Sequence, residues 1–275
     1  EMVYSDWSSD VCSSDLAIDH GADAVYIGGP AFGARASAAN RTSDIEKLAR
    51  YAHRYHARVY LTMNTILFDH ELERARELAW EAYRAGIDGL IIQDMGLLAM
   101  DLPPLMLIAS TQMHNAEADH VLFLEQAGFS RVILARELSL EEIRHIRGRT
   151  SIELEVFVHG ALCVGYSGRC YLSAAMGPRS ANRGECGQPC RLPWSLEDGR
   201  GRVVVRDRHL LSLKDMDRSE HVEDLVHAGV SAFKIEGRLK DVAYVKNITA
   251  HYRRTLDGLI GRRPELARAS SGTCT

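Results

Sequence analysis

The chain has 275 residues, 33 Lys and Arg against 37 Asp and Glu, a formal net charge of −4, and 46% hydrophobic residues. That balance excludes a low-complexity or disordered chain and a uniformly basic nucleic-acid coat, though not a local basic face. No uncharged apolar stretch reaches the ~18 residues of a membrane-spanning helix, so no membrane association is expected.

Residues 1–16 (EMVYSDWSSDVCSSDL) have neither the basic start nor the apolar stretch of a signal peptide. They repeat Ser-Ser-Asp and show neither period 2 nor period 3.6. Asp6–Leu16 reads like a translated sequencing adapter, so residues 1–16 are set aside as a non-native segment, and Cys12 with them. From Ala17 on, short apolar runs alternate with amphipathic helical stretches. The runs are Ala24–Gly29, Val59–Asn64, Gly89–Gln93, Met106–Thr111, Arg131–Arg136, Leu154–Gly160 and Ala232–Gly237. Nearly continuous apolar runs suit strands buried on both faces. Ser43-x-x-Glu46 and Ser139-x-x-Glu142 predict capping boxes. Gly86, Gly128 and Gly229 fit the left-handed position that closes a helix, within the repeated phrases AGIDGLII, AGFSRVIL and AGVSAFKI. Repeated βα units predict a doubly wound sheet or a (β/α)8 barrel. No Gly-x-Gly-x-x-Gly loop follows an early strand, which favours the barrel. Seven strands are legible. The expected fold is therefore α/β, a (β/α)8 TIM-barrel-like domain over residues 17–260 with its first strand lost or replaced. Residues 261–275 read as a ragged end, Cys274 included.

The pattern breaks between Gly160 and about Asp215. An insertion at 161–208 follows a late strand and includes a predicted hairpin, Pro193–Glu197 and Arg202–Arg206 around an Asp-Gly-Arg-Gly turn. In barrels the C-terminal ends of strands carry the chemistry. The insertion holds Cys163-x6-Cys170-x15-Cys186-x3-Cys190. Clustered thiols without secretion signals favour metal or redox use over disulfides. The uneven spacing lacks the paired knuckles of zinc ribbons and suits an iron–sulfur cluster on four thiolates, with zinc as the alternative. Between Arg169 and Arg208 eight arginines face four acids. This basic excess fits either phosphate contact or a solvated loop surface.

Several stretches together resemble a known signature. They are Glu155-x-Phe157-x-x-Gly160-Ala161-Leu162-Cys163, Gly168-x-Cys170-x-Leu172-Ser173, Arg179–Arg191 (RSANRGECGQPCR), Leu211–Asp215 (LSLKD) and Phe233–Lys240 (FKIEGRLK). The chain resembles the U32 peptidase family, the so-called collagenase-like proteases, from about Ala17 to Leu256. Within that family the pattern is most similar to the members that hydroxylate bases of ribosomal or transfer RNA, forming 5-hydroxycytidine or 5-hydroxyuridine. The resemblance implies a cytoplasmic enzyme with RNA as partner and a 4Fe–4S cluster on Cys163, Cys170, Cys186 and Cys190. It also implies prephenate as hydroxyl donor and a longer parent protein. Collagenase-like peptidase activity and hydroxylation of a small aromatic or quinone precursor are the alternatives it leaves. A scaffold role beside a partner subunit is a third possibility. The family's usual first strand, Leu-Leu-Ala-Pro-Ala-Gly, is absent.

Polar residues at strand ends are expected at the barrel mouth: Arg35, Asn64, Gln93, Asp94, Thr111, Gln112, His159, Glu236 and Arg238. His159 is the candidate acid or base beside Cys163. Glu236 either orders an arginine or acts as a base, and Glu155 joins them as a catalytic candidate. Lys214, Arg238 and Lys240 are placed to hold a phosphate or a carboxylated donor, and Arg183 is a further substrate-binding candidate. Tyr166 or Tyr171 is the aromatic that would stack on an extruded base. No Gly-x-Ser-x-Gly elbow and no His-x-x-x-His helix supports a peptidase.

Overall fold

A computed structural model describes residues 1–5, 11–34, 40–237, 240–263 and 265–267. In chain order the elements are β1 (Met2–Ser5), α1 (Val11–Asp19), β2 (Ala24–Gly28), α2 (Thr42–His53), β3 (Arg58–Met63), α3 (Leu72–Arg84) and β4 (Gly89–Ile92). Then come β5 (Met106–Ala109), α4 (Ala118–Gln126), β6 (Arg131–Ile133), α5 (Leu140–Arg147), β7 (Glu153–Gly160) and α6 (Leu172–Met176). The last are β8 (Trp194–Glu197), β9 (Val203–Arg208), β10 (Met216–Asp217), α7 (Val222–His227), β11 (Ala232–Glu236) and α8 (Val242–Arg262). Eight parallel strands close in the order β1-β2-β3-β4-β5-β6-β7-β11, with β11 returning to β1. This is the expected TIM-like barrel. Between β4 and β5 the crossover is only a short 3₁₀ turn, Met95–Ala99.

The first strand's place, expected to be empty or refilled, is refilled: residues from the segment set aside as non-native supply it. Met2–Ser5 runs parallel to Phe233–Glu236 on one side, and Val3–Ser5 to Ala24–Tyr26 on the other. Without it β2 and β11 would present two open edges of backbone donors and acceptors. Met2 and Val3 are buried, Met2 towards the helices and Val3 towards the barrel axis. The Met2 amide donates to Asp23 at 2.7 Å, and Arg253 of α8 clamps the same carboxylate at 3.2 Å. One expectation, concerning α2, needs correction. This helix starts at Thr42 with no side-chain cap, so Ser43 lies inside the helix and its predicted box does not form. The box at Ser139 and Glu142 does form.

Period-2 alternation explains the two apolar clusters. Outward residues such as Leu61, Leu90, Val132 and Val156 pack against the helices. Inward residues, among them Ala24, Tyr26, Tyr60, Ile91, Ile108, Ile133 and Phe157, fill the barrel. Charged residues share that interior. Glu155 is 0% exposed. It accepts a hydrogen bond from the Tyr26 hydroxyl and lies 3.5 Å from Arg131 and 4.0 Å from Lys234. Arg131 also reaches Glu1 and Glu153, each at 2.7 Å, towards the N-terminal end.

Candidate active site at the barrel mouth

Arg136 follows β6 and sits where the barrel meets the insertion. Its guanidinium lies 3.9 Å from the centre of the Phe157 ring and 3.4 Å from the Glu236 carboxylate. On Lys234, one layer deeper, the ammonium is 4.9 Å from the same Phe157 ring and 4.1 Å from that of Tyr26. Phe157 thus carries two cations, contacts that gain strength when desolvated. Arg136 and Glu236 are 12% and 5% exposed, yet Nε of one and Oε1 of the other are buried without a hydrogen-bond partner. Gln93 joins them, donating to the Gln112 carbonyl at 3.2 Å while its Oε1 has no partner. Buried polar atoms are normally paired. Three that are not, at a barrel's C-terminal mouth, mark a place prepared for polar ligand atoms.

The four cysteines meet above this mouth. Cys163, Cys170, Cys186 and Cys190 line one cavity of about 60 Å³ together with Gln112 and Arg136. All four thiols are free of disulfides. Burial pushes the Cys190 thiol up, and the other three cysteines add to the effect while Arg191 opposes it. Among the described residues, no three His, Cys, Asp or Glu side chains stand close enough to hold a single ion. An adjoining cavity of about 630 Å³ shares Arg136 and Cys163 and reaches Glu137, Tyr166 and Leu213. A third, of about 310 Å³, lies beside the N-terminal ends of β1, β2 and β11 among Phe233, Arg253 and Leu256, the end of such barrels that serves stability.

Other predicted residues take different places. Asn64 spends both ends of its amide on Ala34 and Ser110. Asp94 accepts from Leu67 and Gly96, and Thr111 donates to the Leu134 carbonyl. All three brace the rim. Glu155 lies in the barrel interior rather than at the mouth, and burial raises its carboxyl above the ordinary range. His159 turns away. The ladder skips Val158, pairing Phe157 with Lys234 and His159 with Ile235. The His159 ring therefore packs on Tyr244 and Tyr252 of α8, 3.6 Å from Asp217. Burial lowers its pKa against the pull of Asp217. Lys240 pairs with Asp215 at 2.6 Å, and Lys214 is exposed. Arg35 and Arg238 lie outside the described residues.

Arg183 is a clamp. Both its terminal nitrogens bind Glu71 at 2.7 Å, it reaches the Ile66 carbonyl, and its guanidinium stacks on Phe68. It fastens the insertion to the loop after β3. The hydrogen bonds from Arg183 hold the Glu71 carboxyl down to about 2. With the folded value below the unfolded one near 4.3, the stabilisation is full above the ordinary carboxylate range. It is lost as pH falls towards the folded value. Urea titrations of the wild type and Glu71→Gln should differ by a constant amount at neutral pH and converge in acid. A gap that ignores pH would show that Glu71 acts by packing alone.

The sequence reading overlooked Arg136, although it ends an apolar run where barrel strands place their chemistry. It also overlooked Glu137, Ser167 and His114, which no local pattern distinguishes.

Comparison with known proteins bears on this site. The chain is 56% identical over 256 residues to the 23S rRNA 5-hydroxycytidine synthase of Escherichia coli, covering 93% of this chain and 39% of that one. It is 34% identical over 252 residues to a tRNA hydroxylation protein of Bacillus subtilis, covering 88% and 60%. The chain thus spans between about two-fifths and three-fifths of these relatives. The solved structure of a U32 peptidase superposes with a TM-score of 0.55 at 17% identity, over 88% of this chain and 94% of that one, a likeness of fold. The family model for peptidase family U32 matches residues 9–272, and the chain belongs to that family.

Proposed function

We propose that this barrel is the cysteine-bearing part of an RNA-base hydroxylase, acting on a pyrimidine of ribosomal or transfer RNA. In this reading an iron–sulfur cluster sits on Cys163, Cys170, Cys186 and Cys190. The observation that carries it is the mouth itself, where Arg136 and Glu236 keep buried polar atoms unpaired and Arg136 borders the cavity of the four thiols. The donor set fits such a cluster. Four soft thiols line the cavity with no carboxylate or imidazole among them.

When bound, such a cluster supplies one-electron chemistry. Arg136 offers a planar fork that matches a carboxylated donor such as prephenate, the donor the family resemblance implies. Glu236 orients that fork, and the Phe157 ring forms the floor beneath it. Gln93 Oε1 is a further unpaired acceptor at the same mouth. A peptidase would need a nucleophile bonded to a base. The Ser167 hydroxyl donates to Glu137 at 2.8 Å, while the His114 ring meets the Ser167 backbone carbonyl at 2.9 Å.

Nucleoside mass spectrometry on ribosomal and transfer RNA from cells lacking the gene should show loss of 5-hydroxycytidine or 5-hydroxyuridine. The full-length gene should restore it, and a Cys186→Ser version should not. Protein purified without oxygen should be brown with about four irons per chain. Unchanged nucleosides would sink the RNA assignment, and a colourless protein holding one zinc would sink the cluster.

A further inference from the structure

We propose that the 630 Å³ cavity beside Cys163 is the seat of an extruded RNA base, with Tyr166 as its stacking platform. This rests on the RNA reading above. Tyr166 is 69% exposed, yet the backbone beneath it is fixed on several sides. The Ser167 amide and hydroxyl donate to Glu137 at 3.0 and 2.8 Å. The Ser167 hydroxyl also accepts from the Arg136 amide at 3.1 Å. Gly168 presses on the Gln112 backbone so closely that a Cβ there would lie 2.0 Å from the Gln112 oxygen. His114, itself in the left-handed conformation, sets its ring edge-on to Tyr166 with centroids 6.0 Å apart.

A large ring left in water on an immobile loop has already lost the freedom that binding would otherwise take from it. Bases stack on such rings whatever their identity. Arg136 and Glu137 on the cavity wall supply a donor and an acceptor for the base edge. Arg169, whose amide closes a turn on the Tyr166 carbonyl, is exposed and available to a phosphate. Tyr171 is nearly as exposed, at 66%, but lines neither this cavity nor that of the cysteines. A base held in a helix cannot enter a concave seat, so the ligand is an unpaired or flipped base.

The test is binding of the full chain to a fluorescein-labelled hairpin RNA with one unpaired loop cytidine, and to the same RNA with an abasic site in its place. Tyr166→Ala should weaken binding of the cytidine RNA about tenfold and Tyr166→Phe by less than about twofold. The abasic RNA should bind wild type and Tyr166→Ala equally. The seat is overturned if Tyr166→Ala matches the wild type on cytidine RNA, or loses equally on both RNAs. If the wild type binds neither RNA, the RNA reading falls and the seat with it. If the wild type binds RNA and Tyr166→Ala is indifferent, the seat alone falls.

Discussion

On the hydroxylase reading, Arg136→Met should cut formation of the 5-hydroxypyrimidine by about a hundredfold or more, the scale for removing one preorganised charge from a reaction site. The guanidinium touches Phe157 and Glu236, and Arg136 lines both cavities. Its loss also strips the buried Glu236 carboxylate of the cation it pairs with, which should cost about 2–4 kcal/mol of stability. The two effects separate in the double variant with Glu236→Gln, where stability should return and activity should not. Arg136→Lys keeps the charge but not the fork or the flat contact with Phe157, so it should fall between. Nucleoside mass spectrometry and thermal melts of the four proteins check this. Wild-type modification by Arg136→Met would remove Arg136 from the site.

The largest stability loss is expected for Lys234→Met. It strips a cation from Glu155, which is fully buried and keeps one oxygen without a hydrogen bond. Breaking a buried pair from one side costs about 3–5 kcal/mol, or about 6–20 °C in melting temperature for a domain of this size. Adding Glu155→Gln should recover most of it. The pH dependence gives a second readout. Burial raises the folded pKa of Glu155 above its unfolded value. Its contribution is therefore fully present below the ordinary carboxylate range and is lost as pH rises through the folded value. Without Lys234 the folded value climbs further. The deficit of Lys234→Met should then shrink as pH falls from neutral towards the ordinary carboxylate range, and Glu155→Gln should abolish the trend. A deficit independent of pH would mean that Lys234 serves only as packing.

The seven apolar runs announced their strands because both faces of a barrel strand are buried, so little but burial decides their composition. The cysteines were legible for a similar reason, since few folds bring four thiols so close in sequence without using them. What stayed hidden depends on direction. His159 belongs to a run that reads as a strand, and only the skipped Val158 in the ladder turns its ring to α8. Arg183, read from the sequence as a substrate-binding candidate, shows its clamp only when Glu71, 112 positions earlier, stands opposite it. Met2–Ser5 shows too little pattern in four residues to be read as a strand. Its assignment comes from the two neighbours that need an edge covered.

From Cys163 to Asp215 the chain contributes no residue to either apolar cluster of the barrel. The insertion is held to the barrel by polar clasps instead: Arg183 on Glu71, Ser167 on Glu137, and the Arg136 amide on the Ser167 hydroxyl. Segments too small for a core of their own commonly depend on a cross-link, and here four thiols surround the place where one would form. The barrel and its cap are therefore separable modules, joined by a few replaceable contacts. The cap can change in sequence without disturbing the packing that keeps the barrel folded.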